Sequence, residues 1–344
     1  VSPAKYRMAE ESGRKIMDLI EKDIKPSDIM TKPALLNAVR ILMAIGGSTN
    51  GILHLLAISH DAGRPLDLDV FETLSHETPF LCDVKPSGKY TLRDFDEAGG
   101  VPVLMKHLAD ILDMGVMTVT GQSLGANLEG IESAESEVIR SKENALRQDG
   151  GIIIIKGNLA PEGAVIKQVA FPENRRQFTG KARVFNSIQF VERALNEGTL
   201  TLHEKEVLVL KNQGPKGAPG MPETHIPPVF YAKGLSNMLI ITDGRTSGST
   251  TGPMVLHISP EAAAGGPLAM VEEGDMIKID VKNRRLDVLL TDEEIKKRQK
   301  LLQTRSFEKD PFVTGWIKQY AESAGSASRG ARVESFFENT SVES

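Results

Sequence analysis

The spacing of apolar positions separates a helical first half of the chain from a strand-rich second half. Up to about residue 149, apolar residues recur every three or four positions between short polar turns, which is typical of amphipathic helices. The elements predicted for this half are helices at about 4–21, 31–43, 50–61, 101–114 and 133–148, and a short strand at 116–119.

Beyond Asp149-Gly150-Gly151 the apolar residues form short, often β-branched runs instead. These runs predict strands at 152–155, 164–169, 182–185, 206–210, 238–241, 255–258, 276–281 and 286–290, with helices at 187–196 and 292–303. Such spacing favours a compact barrel or a swivelling β-rich domain over a repeating βαβ array. We therefore expect an α/β (α+β) protein with domains at 1–149 and 150–334, followed by a loose tail at 335–344.

The composition argues against nucleic-acid-binding and membrane-spanning proteins. The chain has 344 residues, of which 40% are hydrophobic and 25% charged, as is typical of a soluble globular protein of about two domains. Its net charge of -5 argues against a nucleic-acid partner. No apolar run approaches the roughly 18 to 20 residues that a membrane span needs. No signal segment precedes the first helix, so a cytoplasmic location without membrane contact is the expectation.

The chain contains a single cysteine, Cys82. One thiol excludes an internal disulfide and excludes a metal or iron–sulfur site built only from this chain's thiolates. Its position between Leu81 and Asp83 predicts a small, semi-buried thiol.

Two irregular segments carry the strongest chemical signal. Residues 212–223 include three glycines and three prolines, which neither a helix nor an inner strand tolerates. Residues 242–249 follow an apolar run and place an acid, a base and hydroxyls where a strand would end, a frequent location of chemistry in α/β proteins. Neither segment matches the glycine patterns of nucleotide-binding loops, and Ser247 lacks the preceding glycine of a nucleophile elbow.

These segments and several others resemble the family of dihydroxy-acid dehydratases and sugar-acid (aldonate, 6-phosphogluconate) dehydratases. The resemblance extends over nearly the whole chain to about residue 333. It is carried by residues 46–50, 53–55, 85–90, 98–102, 158–164, 214–223, 242–248, 257–267 and 280–286.

The resemblance implies a hydro-lyase that removes water from a 2,3-dihydroxy acid, giving an enol that tautomerises to a 2-keto acid. It implies Mg²⁺ at the substrate carboxylate and 2-hydroxyl, and a [2Fe–2S] or [4Fe–4S] cluster acting on the departing hydroxyl. By motif position, Glu223 matches the carboxylate ligand of the metal and Ser247 matches the proton acceptor. Because a serine hydroxyl is a weak base, Ser247 must act as an alkoxide close to metal charge.

Other polar residues are weaker candidates. Arg245 and Lys216 could bind the substrate carboxylate, although an arginine in a turn is more often structural. His54 and His257 are interpreted as packing residues rather than ligands.

The resemblance also implies that the cluster cysteines, further acidic ligands and a carbamylated lysine lie in a segment before Val1, with no cluster ligand in this chain. We therefore expect a chain that lacks its amino-terminal segment and is inactive in isolation. It is either a truncated product or the partner of a complementary subunit, and it is expected to form a homo-oligomer.

The substrate is expected to be a small polyhydroxy acid, and three functions stay open. Asp243-Gly244-Arg245 resembles the dehydratases of branched-chain amino-acid synthesis, whereas Val255-Leu256-His257 resembles the sugar-acid branch. The branched-chain dehydratase is favoured and the aldonate dehydratase is the alternative. A catalytically incomplete binding or assembly module is the third interpretation.

Overall fold

The computed structural model describes residues 3–248, 250–304 and 314–334. Within these ranges the helices are α1 (Pro3–Glu21), α2 (Pro26–Ile29), α3 (Lys32–Ile45), α4 (Asn50–Asp61), α5 (Leu68–Glu77), α6 (Leu92–Glu97), α7 (Gly100–His107), α8 (Leu124–Leu128), α9 (Ile188–Glu197), α10 (Pro228–Ala232), α11 (Asp292–Thr304) and α12 (Gly315–Ser323). The strands are β1 (Ile153–Gly157), β2 (Ala160–Ile166), β3 (Gln177–Phe185), β4 (Glu206–Leu210), β5 (Glu223–Thr224), β6 (Leu239–Thr242), β7 (Arg245–Thr246), β8 (Met254–Ser259), β9 (Met276–Asp280) and β10 (Arg285–Val288).

Eight of these strands close into a barrel in the order β1-β10-β9-β3-β4-β6-β8-β2. The run β3-β4-β6-β8 is parallel, whereas β2 pairs antiparallel with β1 and β8. All eight overlap the predicted apolar runs, although β2 begins four residues and β3 five residues before the predicted start, and β2 ends three residues before the predicted end. The mixed fold class and the barrel are confirmed. The swivelling movement and the domain boundary near residue 149 stay predictions.

The run Ile152–Ile155 shows how an uninterrupted apolar segment folds. Ile153 and Ile155 pack inside the barrel, whereas Ile152 and Ile154 pack against the helices of the first half. Successive side chains of a strand face opposite sides, so β1 is buried on both. Burial of one such side chain contributes roughly 1.5–3 kcal/mol to the free energy of unfolding. This shared apolar layer attaches the helices to the barrel.

Helix α3 begins and ends where its sequence signals place it. The Thr31 side chain accepts a hydrogen bond from the Ala34 backbone N–H at 3.4 Å, capping the first turn. Gly46 ends the helix in the left-handed conformation, with φ of 58°. A Cβ at Gly46 would lie 2.7 Å from Cε2 of Phe80, so only glycine fits there. The loop that follows Gly46 reaches the candidate site.

Two predictions in the first half are wrong. Residues 133–148 form no helix, because Ile139 is completely buried and pairs with Cys82 as an antiparallel bridge. Residues 116–119 form no strand, and Met117 makes a single bridge with Ser123. Both segments are held by isolated tertiary contacts that periodicity does not reveal.

Three further predictions concern the end of α7, the tail and membrane-spanning helices. Helix α7 ends at His107, several residues before the predicted end. The predicted tail at 335–344 lies outside the described residues. In the described part of the chain, no helix combines the length and apolar character needed to cross a membrane.

Candidate active site

A buried carboxylate, Asp243, connects the two loops of the candidate site. It accepts hydrogen bonds from the backbone N–H groups of Gln213 at 2.8 Å and Asn212 at 3.2 Å, where the glycine-rich loop begins. A third bond comes from the Ala262 N–H at 2.8 Å. Burial raises the pKa of the Asp243 carboxyl, and the three N–H donors oppose that rise. Asp243 therefore fixes the start of one loop against the other.

A second carboxylate, Glu261, holds the middle of the glycine-rich loop. It accepts bonds from the backbone N–H groups of Lys216 at 2.9 Å and Gly217 at 3.0 Å. A Cβ at Gly214 would lie 2.5 Å from the Glu261 carboxylate oxygen Oε2, so the close approach requires glycine. The loop is irregular in sequence but has specific partners for its backbone.

Strands β5 and β7 bring the two predicted site residues onto adjacent segments. They pair in parallel, with Glu223 opposite Arg245 and Thr224 opposite Thr246. The Thr246 hydroxyl donates to the Thr224 carbonyl oxygen at 2.6 Å. Ser247 directly follows β7, so it lies next to this small sheet. The pairing explains how residues 24 positions apart come to lie on adjacent segments.

Asn50, at the start of α4, links the helical half to this sheet. Its Nδ2 donates to Glu223 Oε1 at 2.9 Å and to the Thr246 carbonyl oxygen at 3.2 Å. Arg245 approaches the same Glu223 oxygen at 3.2 Å and also donates to the Met221 carbonyl oxygen. Glu223 is thus held by an amide and a guanidinium, and Arg245 is engaged with the loop itself.

A cleft is lined by residues of β7, of the barrel and of the loop after α3. Ser247 lines it together with Lys167, the residue that directly follows β2. The lining residues are Gly47, Ser48, Thr49, Lys167, Ala170, Thr246, Ser247, Gly248, Thr250, Gly252, Met254 and Leu256. Burial lowers the pKa of the Lys167 ammonium to about 8. Glu223 is outside this lining, and Asn50 connects it to the lining residue Thr246 through the two hydrogen bonds described above.

The remaining candidates are placed away from the cleft. Lys216 Nζ donates to the Glu322 carbonyl oxygen at 3.1 Å, on α12. His54 is exposed on α4, contrary to the packing interpretation. His257 is buried, as that interpretation expects, and burial with the charges of Arg245 and His54 lowers its pKa to about 3. It is therefore neutral near pH 7.

Sequence reasoning did not single out Asn50, Lys167, Asp243 or Glu261 as functional residues. Three of them lie within the motifs that carry the family resemblance, and Lys167 lies three residues beyond the motif 158–164. Motif membership was therefore the available signal for Asn50, Asp243 and Glu261, and no motif marked Lys167. Their partners lie elsewhere in the sequence, as the 173 positions between Asn50 and Glu223 illustrate.

The residues around Glu223 fit part of a magnesium site. Mg²⁺ prefers oxygen ligands and is bound through one or two carboxylates. Asn50 Oδ1 is buried without a hydrogen-bond partner, and Glu223 Oε2 has none among the described residues, which leaves two oxygen atoms for a cation. However, no three His, Cys, Asp or Glu side chains of the described ranges group as a metal site.

The residues do not fit an iron–sulfur cluster. Cys82 is completely buried in the core of the helical half, among Leu81, Leu104 and Ile139. Burial raises the pKa of its thiol to about 12, which disfavours the thiolate that a cluster needs. Cys82 is a packing residue, more deeply buried than predicted.

Two family models and several curated proteins match the sequence of this chain. The model described as "Dihydroxy-acid/6-phosphogluconate dehydratase C-terminal" matches residues 137–331, and its N-terminal counterpart matches residues 1–127. The chain is 45% identical to the dihydroxy-acid dehydratase of Saccharolobus islandicus strain M.14.25, 43% to that of Sulfolobus acidocaldarius and 41% to that of Methanosphaera stadtmanae. These matches cover 96% of this chain and 59–60% of the length of the relatives.

One expectation is corrected by these matches. We expected a chain that lacks its amino-terminal segment, yet the N-terminal family model matches residues 1–127. That expectation is wrong, and the inactivity derived from it has no support. Both halves of the chain carry family sequence, and the carboxy-terminal match alone spans more than half of it. The chain belongs to the dihydroxy-acid/6-phosphogluconate dehydratase family.

Proposed function

We propose that this chain carries the proton-abstracting part of a hydro-lyase that converts a 2,3-dihydroxy carboxylic acid into a 2-keto acid. The similar relatives are named dihydroxy-acid dehydratases. The observation that carries the proposal is the β5–β7 pairing, which sets Glu223 beside the segment that delivers Ser247 to a cleft. A proton acceptor and an oxygen ligand on adjacent segments suit removal of a proton next to a carboxylate.

In the proposed reaction, Ser247 Oγ accepts the proton from C2 of the substrate. The electron pair of the C2–H bond forms the C2–C3 double bond, and the C3–O bond breaks. The departing hydroxyl takes up the proton that Ser247 Oγ accepted and leaves as water, which returns Ser247 to its starting state. The resulting enol gains a proton at C3 from water and loses the proton of its 2-hydroxyl, which gives the 2-keto acid.

Glu223 and Asn50 are the residues that would hold Mg²⁺ in this proposal. When bound, Mg²⁺ stabilises negative charge on the substrate carboxylate and 2-hydroxyl. Arg245 keeps the Glu223 carboxylate in place through the contact at 3.2 Å. No step is assigned to an iron–sulfur cluster, because Cys82 does not fit as its ligand.

The favoured substrate is the dihydroxy acid of branched-chain amino-acid synthesis, because the relatives are named dihydroxy-acid dehydratases and Asp243-Gly244-Arg245 resembles that branch. A sugar acid is the second candidate, since the family description includes 6-phosphogluconate. A binding or assembly module is the alternative of another class.

The test measures keto-acid formation from 2,3-dihydroxyisovalerate and from gluconate, with protein supplied anaerobically with Mg²⁺, iron and sulfide. We expect faster turnover of 2,3-dihydroxyisovalerate and loss of turnover in Ser247→Ala. The matched control is Ser236→Ala, which changes an exposed serine outside the cleft. Faster turnover of gluconate would favour the sugar-acid function, and full turnover in Ser247→Ala would exclude the proposed base.

A further inference from the structure

Lys167 is a half-buried lysine that has no charge partner among the described residues. Burial alone lowers the pKa of its amine, and within the described ranges it has neither an ion-pair nor a hydrogen-bond partner. A buried ammonium without a counter-ion is unfavourable, and proteins usually pair such a charge. An unpaired one inside a cleft indicates a place for an anion that arrives from outside.

The backbone holds Lys167 firmly at this position. The preceding residue, Ile166, pairs with Val255 of β8 in the barrel. The following residue, Gln168, is buried and donates to Asp149 at 2.9 Å and to the Gly150 carbonyl oxygen at 2.6 Å. Lys167 therefore lies between a barrel strand and a buried hydrogen-bond network, so its position relative to the cleft is set by the fold.

The rest of the cleft is neutral. Its described lining residues include hydroxyls, glycines and apolar groups, and Lys167 is the ionisable acid or base among them. On the adjoining strands β7 and β8, Arg245 is paired with Glu223, and His257 is held neutral by burial. Lys167 thus provides the positive charge of the cleft that Ser247 lines.

We propose that Lys167 binds the carboxylate of the acid substrate at the cleft that Ser247 also lines. This inference rests on the proposed function, because it names the group that receives the substrate in that same cleft. It also replaces Arg245 and Lys216 as the leading candidates, since both are engaged elsewhere. A desolvated ammonium binds a carboxylate more strongly than an exposed one does, because solvent screening is weaker.

The first test separates binding from chemistry by kinetics. In Lys167→Met we expect KM for 2,3-dihydroxyisovalerate to rise about ten- to hundredfold, the range for loss of a charged hydrogen bond. Lys167→Arg keeps the charge and should recover part of that loss. The control Lys233→Met changes an exposed lysine and should leave KM unchanged. An unchanged KM in Lys167→Met would overturn the inference.

The second test needs no turnover. Lysines of the Ser247→Ala protein are dimethylated with ¹³C-formaldehyde, and the Lys167 resonance is identified by its loss in the additional Lys167→Arg change. We expect this resonance to titrate at lower pH than those of exposed lysines and its midpoint to rise when 2,3-dihydroxyisovalerate is added. The neutral amide of that acid should cause no shift, and inorganic phosphate serves as a second anion.

The outcomes distinguish the two proposals. A response to the acid without keto-acid formation by the unsubstituted protein would support Lys167 as the anion site and reject the dehydratase function. Keto-acid formation without a shift of the Lys167 resonance would support the dehydratase function and reject Lys167 as the anion site. A response to phosphate alone would show that the site does not recognise a carboxylate and would reject the inference.

Discussion

Lys167 and Lys211 are the same residue type in matching positions, yet they have different surroundings. Each directly follows a barrel strand, β2 for Lys167 and β4 for Lys211. Burial lowers the pKa of both ammonium groups to about 8. Lys211 donates to the carbonyl oxygens of Ala269 and Val271, whereas Lys167 has no such acceptor in the described chain.

The two lysines also differ in their charged neighbours, because acidic groups surround Lys211 and no acidic group of the described residues acts on Lys167. Glu272, Asp275 and Asp243 raise the pKa of Lys211 and oppose the effect of burial. Burial alone acts on Lys167, and Lys167 adjoins a cleft. A satisfied buried charge indicates a structural role, and an unsatisfied one beside a cleft indicates binding. The difference teaches that depth of burial does not by itself identify a functional lysine.

The largest expected effect is on turnover and concerns the cleft that Lys167 and Ser247 both line. Ser247→Ala should lower kcat by about a hundredfold or more, as expected when a general base is removed. KM should change little, because the binding charge remains. Steady-state kinetics of Ser247→Ala and Lys167→Met measure kcat and KM separately. A drop confined to KM would assign Ser247 to binding rather than proton transfer.

The next effect is on stability and belongs to Lys211. Lys211→Met leaves the Ala269 and Val271 carbonyl oxygens without their donor, which should cost roughly 1–3 kcal/mol of unfolding free energy. Urea unfolding at pH 7 provides the measurement. Equal losses in Lys211→Met and Lys167→Met would contradict the distinction between the two sites.

Lys167→Met should have the opposite sign at pH 7, because it leaves no carbonyl oxygen without a donor. In Lys211→Met the loss of two such bonds outweighs the relief of a similarly lowered pKa. With a folded pKa of about 8 for Lys167 and an unfolded value near 10.4, the unfolded chain binds more protons between these pH values, so stability rises as pH increases through them. The variant lacks this penalty and should be more stable at pH 7, by about 1 kcal/mol after screening. The advantage should disappear above pH 10.4, which urea midpoints across pH 7–10.5 can check.

The smallest effect concerns Asn50. Asn50→Ala removes the bonds to Glu223 and Thr246, and we expect a stability loss of about 1 kcal/mol. It should also weaken Mg²⁺ binding, measured by calorimetry, if Glu223 holds the ion. Asn127→Ala, which removes an amide bonded within the α8 region, is a control for stability without an effect on Mg²⁺. Unchanged Mg²⁺ affinity in Asn50→Ala would remove Asn50 from the metal site.

Much of the barrel could be predicted because its signals are local. Apolar runs such as 206–210 and 276–281 mark strands buried on at least one face, and the structure confirms them. The helix predicted for residues 133–148 was wrong because the charged residues of this region have the pattern of an exposed helix. The contact that decides its structure, between Ile139 and Cys82, joins distant parts of the chain. Short-range patterns do not record contacts of that kind.

The amino-acid sequence by itself determined the family, the barrel strands and the two loops that carry Glu223 and Ser247. Only the tertiary structure decided which polar groups become partners. Asn50 reaches Glu223 across 173 positions, and Arg245 is engaged with the loop rather than left for a ligand. Whether a buried charge is satisfied depends on which distant groups folding brings within hydrogen-bond distance, and this is why Lys167 and Lys211 differ.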